Sequence, residues 1–187
     1  MEKALLRKTY FEKRAALSEG EIEERSLAIA NKCLTLSLWQ FSNFHLFLSI
    51  TQKKEINTEY LLHILQGKDK NIVVPKVNPQ SQTLDHFLLT DSTVIQKNNW
   101  DIPEPIDGFP FPIEKIEVVF VPLLAYDIKG NRVGYGKGFY DKFLAQCPKD
   151  VLKVGLSLFE PEENITVQDT DIPLDFCVTP NTVFSFK

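Results

Sequence analysis

Cysteine is scarce in this chain. There are three, Cys33, Cys147 and Cys177, scattered and without a CxxC pair. That set suits neither a disulfide framework nor a zinc site. Basic charge is not in excess: Lys plus Arg number 21 against 25 Asp plus Glu, a formal net charge of −4, whereas nucleic-acid binders usually carry a basic surplus. No stretch approaches the ~18 apolar residues of a membrane span. Residues 1–17 mix Glu, Lys and Arg instead of forming a signal-peptide core. A cytoplasmic protein with no membrane or nucleic-acid partner is expected. Histidine is equally sparse. His45, His63 and His86 are isolated, lack metal-ligand spacing and read as structural or surface residues. Neither a Ser-His-Asp nor a Cys-His set is evident.

What is present is globular. Hydrophobic residues make up 43% and charged residues 25% of 187, which excludes wholesale disorder. The length suits one domain, taken as 1–187. Residues 2–17 and 19–36 read as helices, the second opened by a capping box at Ser18 and Glu21. Apolar runs predict strands at 43–50, 71–77, 83–89, 117–122 and 151–158, with a short last one at 176–178. Thr58 is a candidate cap for a helix running to Gly67, and another helix covers 139–146. Between 96 and 114, Pro103, Pro105, Pro110 and Pro112 accompany Trp100 and Gly108, which reads as a long ordered loop. Strands alternating with helices predict an α/β layered, mainly parallel sheet.

The chemistry concentrates in VPLLAYDIKGNRVGYGKGFYDKFL, 121–144, which follows the strongest strand and opens a helix. Gly134, Gly136 and Gly138 alternate there, so backbone N–H groups can wrap an anion ahead of a helix N-terminus. Arg132 and Lys137 add positive charge, and the loop suits a polyphosphate. It is neither a Walker A loop nor a dinucleotide fingerprint. Asp141, in the first helical turn, is either a residue favoured by the helix dipole or a magnesium ligand. Lys3 and Arg7 stand i,i+4 on one helix face, as a solvated basic face or a phosphate clamp. Arg14, further along, reads as surface.

The segment YDIKGNRVGYGKGFYDKFL, 126–144, resembles the signature of the 5-formyltetrahydrofolate cyclo-ligase family, with Val133 in place of Leu and Phe139 in place of the first Tyr of a pair. Lys3-Ala-Leu-Leu-Arg7, FLSI followed by Glu55-Ile-Asn-Thr58, Trp100-Asp-Ile-Pro-Glu-Pro105 and Pro173-Leu-Asp175 are similar to further family segments. The resemblance implies a three-layer, mainly parallel open sheet flanked by helices, like that of sugar-phosphate isomerases and CoA-transferases. It implies ATP-driven cyclisation of 5-formyltetrahydrofolate to 5,10-methenyltetrahydrofolate, releasing ADP and phosphate. The mechanism it implies is phosphorylation of the formyl oxygen followed by ring closure by N10.

Carried onto this sequence, the resemblance implies ATP contacts from Lys3, Arg7, Arg132, Val133, Gly134, Tyr135, Gly136, Lys137, Gly138, Phe139 and Tyr140. Arg132 and Lys137 are then catalytic, stabilising charge on the transferring phosphoryl group. Asp141 and Asp175 become the magnesium ligands, with Asp169 and Asp171 close to the second. Ile50 (or Leu48), Glu55, Trp100, Tyr135 and Phe139 become the folate contacts, where the flat pterin asks for aromatic faces and directed hydrogen bonds. Trp100 in a Pro-rich loop could equally pack that loop onto the core, and Glu55 could be an exposed charge after Lys53 and Lys54. Lys76 and Lys97 are both candidates for the acidic glutamate tail. A monomer is expected. The competing reading is a non-catalytic nucleotide- or polyphosphate-binding module, which would not need the aromatic set or Glu55.

Overall fold

The computed structural model describes all 187 residues. Helix α1 is Lys3–Ala15 and α2 is Glu19–Cys33. The capping box forms as expected: Glu21 N–H donates to Ser18 Oγ (3.2 Å) and Ser18 N–H to Glu21 Oε2 (2.8 Å). α2 stops at Cys33, three residues short of the predicted end. There the bonds tighten to i→i−3, from Leu34, Thr35 and Leu36 back to Asn31, Lys32 and Cys33.

Strand β1 covers only Asn43–His45. Leu46 N–H still reaches Val73 O, and the chain then leaves the sheet. Phe47 and Ile50 stay buried, so the apolar run predicted as strand continues as a wall. Helix α3 (Glu59–Gly67) follows. Its predicted cap, the Thr58 hydroxyl, instead donates to Phe47 O (2.8 Å), while Asn57 Oδ1 accepts from Glu59 N–H (3.0 Å). β2 (Asn71–Asn78) and β3 (Thr83–Leu88) form a hairpin. The Pro-rich stretch holds a small hairpin of β4 (Ile95–Lys97) and β5 (Pro103–Pro105), then β6 (Phe109–Pro110) on the β3 edge. β7 (Val118–Pro122) leads to a tight hairpin of β8 (Ala125–Tyr126) and β9 (Arg132–Val133), then to helix α4 (Phe139–Gln146). β10 (Leu152–Leu156), β11 (Phe176–Val178) and β12 (Val183–Ser185) complete the chain.

The main sheet has eight strands in the order β12-β11-β10-β7-β1-β2-β3-β6. Its centre, from β11 to β2, is parallel; at the edges β12 and β3 run against it, and β6 pairs antiparallel with β3. On one face Phe44, Phe120, Val154 and Val178 meet Ile29 and Cys33 of α2 and Leu61 and Leu65 of α3. On the other, Val73, Val119, Val121 and Cys177 meet Phe143 and Leu144 of α4. These are the three expected layers. Parallel strands buried on both faces read as continuous apolar runs, as 118–121 does. Crevices in such sheets open at the carboxyl ends of the strands, and here β1, β2 and β7 feed Phe47, Pro75 and Pro122 into one cleft.

The turn between β8 and β9 is built around Asp127, which is fully buried. Its carboxylate accepts from Lys129 N–H (2.9 Å), Asn131 N–H (3.0 Å), Asn131 Nδ2 (2.9 Å) and Ile165 N–H (3.0 Å). Gly130 takes φ +83°, and a Cβ there would come within 2.9 Å of Leu174 O, so the turn excludes any side chain. Asp127→Ala strands several buried donors at once. It should lower the unfolding free energy by about 3 kcal/mol, read as an earlier denaturant midpoint; an unmoved midpoint would show that the turn holds without its carboxylate.

His45 is fully buried and His86 nearly so, both tilted against Phe143 at 4.6 and 4.2 Å between ring centroids. Neither imidazole has a hydrogen-bond partner in the protein. Burial pushes His45 well below its ordinary value, helped by His86, and pushes His86 down to about 4. Below about pH 6.5 the unfolded chain therefore binds protons that the folded one refuses, and stability falls with the pH. Between about pH 6.5 and 4 the unfolding free energy should decline. In His86→Phe that slope should flatten; an equal slope would place its origin elsewhere.

Candidate active site

The turn at Asp127 aims the next residues back across the carboxyl end of β7. After Val133 the chain runs through Gly134, Tyr135, Gly136, Lys137 and Gly138 into α4. Gly136 (φ +93°) and Gly138 (φ +70°) hold left-handed conformations that Gly adopts without strain. Helix α1 lies over this loop. Arg7 Nε donates to Gly134 O (3.0 Å), and its guanidinium rests on Gly136, where an added Cβ would come within 3.1 Å of Cζ. The expected folding-back of Arg7 over the glycines is therefore what the geometry contains.

The cations around the loop differ in how far they are compensated. Lys3 is paired with Asp171. Arg132, 7% exposed, donates from Nη2 to Asp141 Oδ1 (2.9 Å) and from Nη1 to Ile172 O. Arg7 and Lys137 have no carboxylate within ion-pair distance. Lys137 is exposed, its Nζ 5.2 Å from the centre of the Trp100 ring. The loop thus keeps two free positive charges beside its exposed backbone.

Loop and helix form one side of a cleft of about 640 Å³. Polar lining comes from Lys3 and Arg7, from the loop with Arg132 and Asp141, and from 168–171. Apolar lining comes from Phe47, Leu48, Ile50, Pro75, Val77, Leu84, Ile102 and Phe139. Leu48 and Ile50 both reach the cleft, so the geometry does not choose between them. Glu55 lies on its wall, 5% exposed, just after a left-handed Lys54 (φ 49°). Its Oε2 accepts from Ile50 N–H (2.7 Å) and its Oε1 from the Tyr135 hydroxyl. Burial pushes the Glu55 carboxyl up, against the pull of Arg14, the hydrogen bonds from Tyr135 and Ile50, and Lys53. Burial and the neighbouring Glu55 push the Tyr135 and Tyr140 hydroxyls up. The Tyr140 hydroxyl is buried without a protein partner.

Four expectations need correction. Arg14 is not a surface residue. It is 4% exposed and donates to the Tyr135 hydroxyl (2.8 Å) and to Leu123 O, because α1 turns this face inward onto the loop. Asp175 lies outside the cleft. It stands at the start of β11, accepts from Lys153 N–H (2.8 Å) and pairs with Lys153 Nζ (2.8 Å) and Lys187 Nζ (3.4 Å). The carboxylates of that segment that line the cleft are Asp169 and Asp171. Val133 packs with Leu6 and Tyr10 beneath α1 instead of lining the cleft. Trp100 is half-exposed on the β4–β5 hairpin, whose Ile102 and Pro103 are the residues that line the cleft. The sequence by itself leaves Arg14 on the surface and prefers Asp175 to the nearby Asp171; the signals of Arg14 and Asp171, an Arg two turns after Arg7 and an Asp four before Asp175, are too common to single out.

No three His, Cys, Asp or Glu side chains gather to hold a metal by themselves. Asp141 Oδ1 is taken by Arg132 and Ile172 N–H, and Asp171 Oδ2 by Lys3 and Gln168 N–H. One oxygen of each carboxylate makes no protein hydrogen bond. This donor set fits a hard cation carried in on phosphate oxygens and steadied by one carboxylate and water, the usual magnesium arrangement, but not a resident metal centre.

Known proteins match this architecture over nearly its whole length. The sequence model of the 5-formyltetrahydrofolate cyclo-ligase family matches residues 1–180. A probable 5-formyltetrahydrofolate cyclo-ligase of Schizosaccharomyces pombe is 30% identical over 186 residues, covering 89% of each chain. The 5-formyltetrahydrofolate cyclo-ligase of Mus musculus is 31% identical over 140 residues, 71% of this chain and 68% of that one. The NMR structure of Aquifex aeolicus 5,10-methenyltetrahydrofolate synthetase superposes with a TM-score of 0.85 at 28% identity, covering 99% of this chain and 93% of that one. A match of this reach takes in the glycine loop, the helix folded over it and both cleft walls, and the chain belongs to the 5-formyltetrahydrofolate cyclo-ligase family.

Proposed function

We propose that the cleft binds ATP on the glycine loop and 5-formyltetrahydrofolate against the Glu55 wall, and passes the γ-phosphoryl group between them. The observation that carries this is the loop itself: exposed backbone between two uncompensated cations, Arg7 and Lys137, with a buried acceptor opposite. Phosphoryl transfer asks the protein chiefly for positioning and charge neutralisation.

The formyl oxygen attacks the γ-phosphorus and the bond to ADP breaks, leaving an iminium phosphate at N5. N10 then attacks the formyl carbon, phosphate leaves, and the N10 proton is lost as the ring closes. Arg7 and Lys137 neutralise the phosphates, and Lys137 follows the charge that develops in transfer. Arg132 has its fork occupied, so its part is to hold Asp141 toward the nucleotide. Magnesium would arrive with the nucleotide, beside Asp141 and Asp171, and would draw charge from the phosphate oxygens. Glu55 accepts N–H donors of the pterin, and Ile50, Leu48 and Phe139 cover its faces. A module that merely binds nucleotide would have no use for that half of the cleft.

Lys137→Ala should reduce turnover by about 10²-fold, followed as ATP-dependent absorbance of the methenyl product. Thermal stability should not change, since the side chain is exposed. Turnover near that of the parent protein would remove Lys137 from the chemistry. The two aspartates should separate cleanly. Asp141→Asn should demand more magnesium for half-maximal rate, whereas Asp175→Asn should leave that requirement unmoved and lower the unfolding midpoint; the reverse result would return the metal to Asp175.

A further inference from the structure

Arg14 is more deeply buried than a helix-surface arginine has reason to be. It is 4% exposed, its Nε has no partner, and no carboxylate lies within ion-pair distance. Burying a guanidinium so incompletely paired is costly, and packing alone would be served by Leu or Met. Its two remaining nitrogens reach Leu123 O and the Tyr135 hydroxyl, and the Tyr135 O–H donates a hydrogen bond to Glu55 Oε1. Arg14 does not line the cleft, whereas Tyr135 and Glu55 do.

We propose that Arg14 is a positioning residue for the folate: through the Tyr135 hydroxyl it fixes the Glu55 carboxylate to receive the pterin. Each Glu55 oxygen accepts one protein hydrogen bond, Oε1 from Tyr135 and Oε2 from Ile50 N–H. A lone pair is left on each oxygen. A carboxylate with a lone pair free on each oxygen is the acceptor that the adjacent N3–H and 2-amino donors of an amino-pyrimidinone ring call for. The inference rests on the reading of Glu55 as the pterin acceptor.

It also sets a pH dependence. The groups facing Glu55 are Arg14 from α1, Lys53 from the turn after β1, Tyr135 from the loop and Tyr140 from α4. Arg14 and Lys53 favour the carboxylate, and burial opposes it. Without the Arg14 charge, the proton stays on Glu55 to higher pH.

The test compares Arg14→Met, Arg14→Lys, Tyr135→Phe and Glu55→Gln by steady-state kinetics across pH, with both substrates varied. Arg14→Met should raise the KM for 5-formyltetrahydrofolate about ten-fold or more, with the KM for ATP near that of the parent protein. The acid limb of kcat/KM for folate should move to higher pH. Arg14→Lys, which keeps the charge, should return the limb toward its original place. A KM for ATP that rises equally, or an acid limb that stays put while Glu55→Gln still weakens folate, overturns the role of Arg14. If Glu55→Gln leaves the folate KM unchanged, the reading of Glu55 itself fails. Should Arg14→Met not fold, Tyr135→Phe decides: an unchanged folate KM overturns the relay.

Discussion

The site depends on one contact, the Arg7 guanidinium lying flat on Gly136 while its Nε holds Gly134 O. A helix near the chain start is thereby locked onto a loop more than a hundred residues later. Position 136 favours glycine twice over: a Cβ would sit 3.1 Å from the guanidinium carbon and push the arginine aside, and φ +93° strains any residue with a side chain. It also leaves a cation uncompensated beside open backbone, a state tolerable where an anion is to be received. The loop is held from below as well, since the Asp127 turn launches it and Arg132 ties its far end to Asp141.

Charge around the cleft is sorted by what each group does. Lys3 and Arg132 are matched with Asp171 and Asp141, which keeps the wall from repelling itself when empty. Arg7 and Lys137 are left over beside the loop, as are Lys142 on the cleft rim and Arg14 behind Tyr135. Across from them the one deeply buried carboxylate of the cleft wall, Glu55, is stabilised without a direct ion pair, by a tyrosine hydroxyl, a backbone N–H and the field of nearby cations. Low local dielectric makes each of these interactions stronger than in water. It also makes their loss expensive, because a buried acceptor cannot turn to solvent.

Local signals carried over well from sequence to structure. The Ser18–Glu21 capping box needs only four consecutive residues, and it forms. The run at 118–121 is buried on both faces, as its unbroken apolar character implies. The failures have a common cause. Residues 46–50 look like strand because a cleft wall and a buried strand both need apolar side chains. Thr58 looks like a cap, but its hydroxyl finds a carbonyl eleven residues back. Asp175 stands nearest the motif that suggested it, yet the chain runs from the cleft at Ile172 to the start of β11 within three residues, and it pairs there with Lys153.

The amino-acid order alone determined the α/β class, the glycine-alternating loop ahead of α4 and the family, because alternating glycines, apolar strand cores and a long ordered motif are properties of neighbours along the chain. Tertiary structure alone decided which charges are spent and which are free, that Arg14 faces inward to Tyr135, and that Asp171 instead of Asp175 meets the cleft. The physical reason is that pairing and burial are fixed by where distant segments meet, across separations such as 121 residues between Arg14 and Tyr135 or 168 between Lys3 and Asp171. No local spacing encodes them.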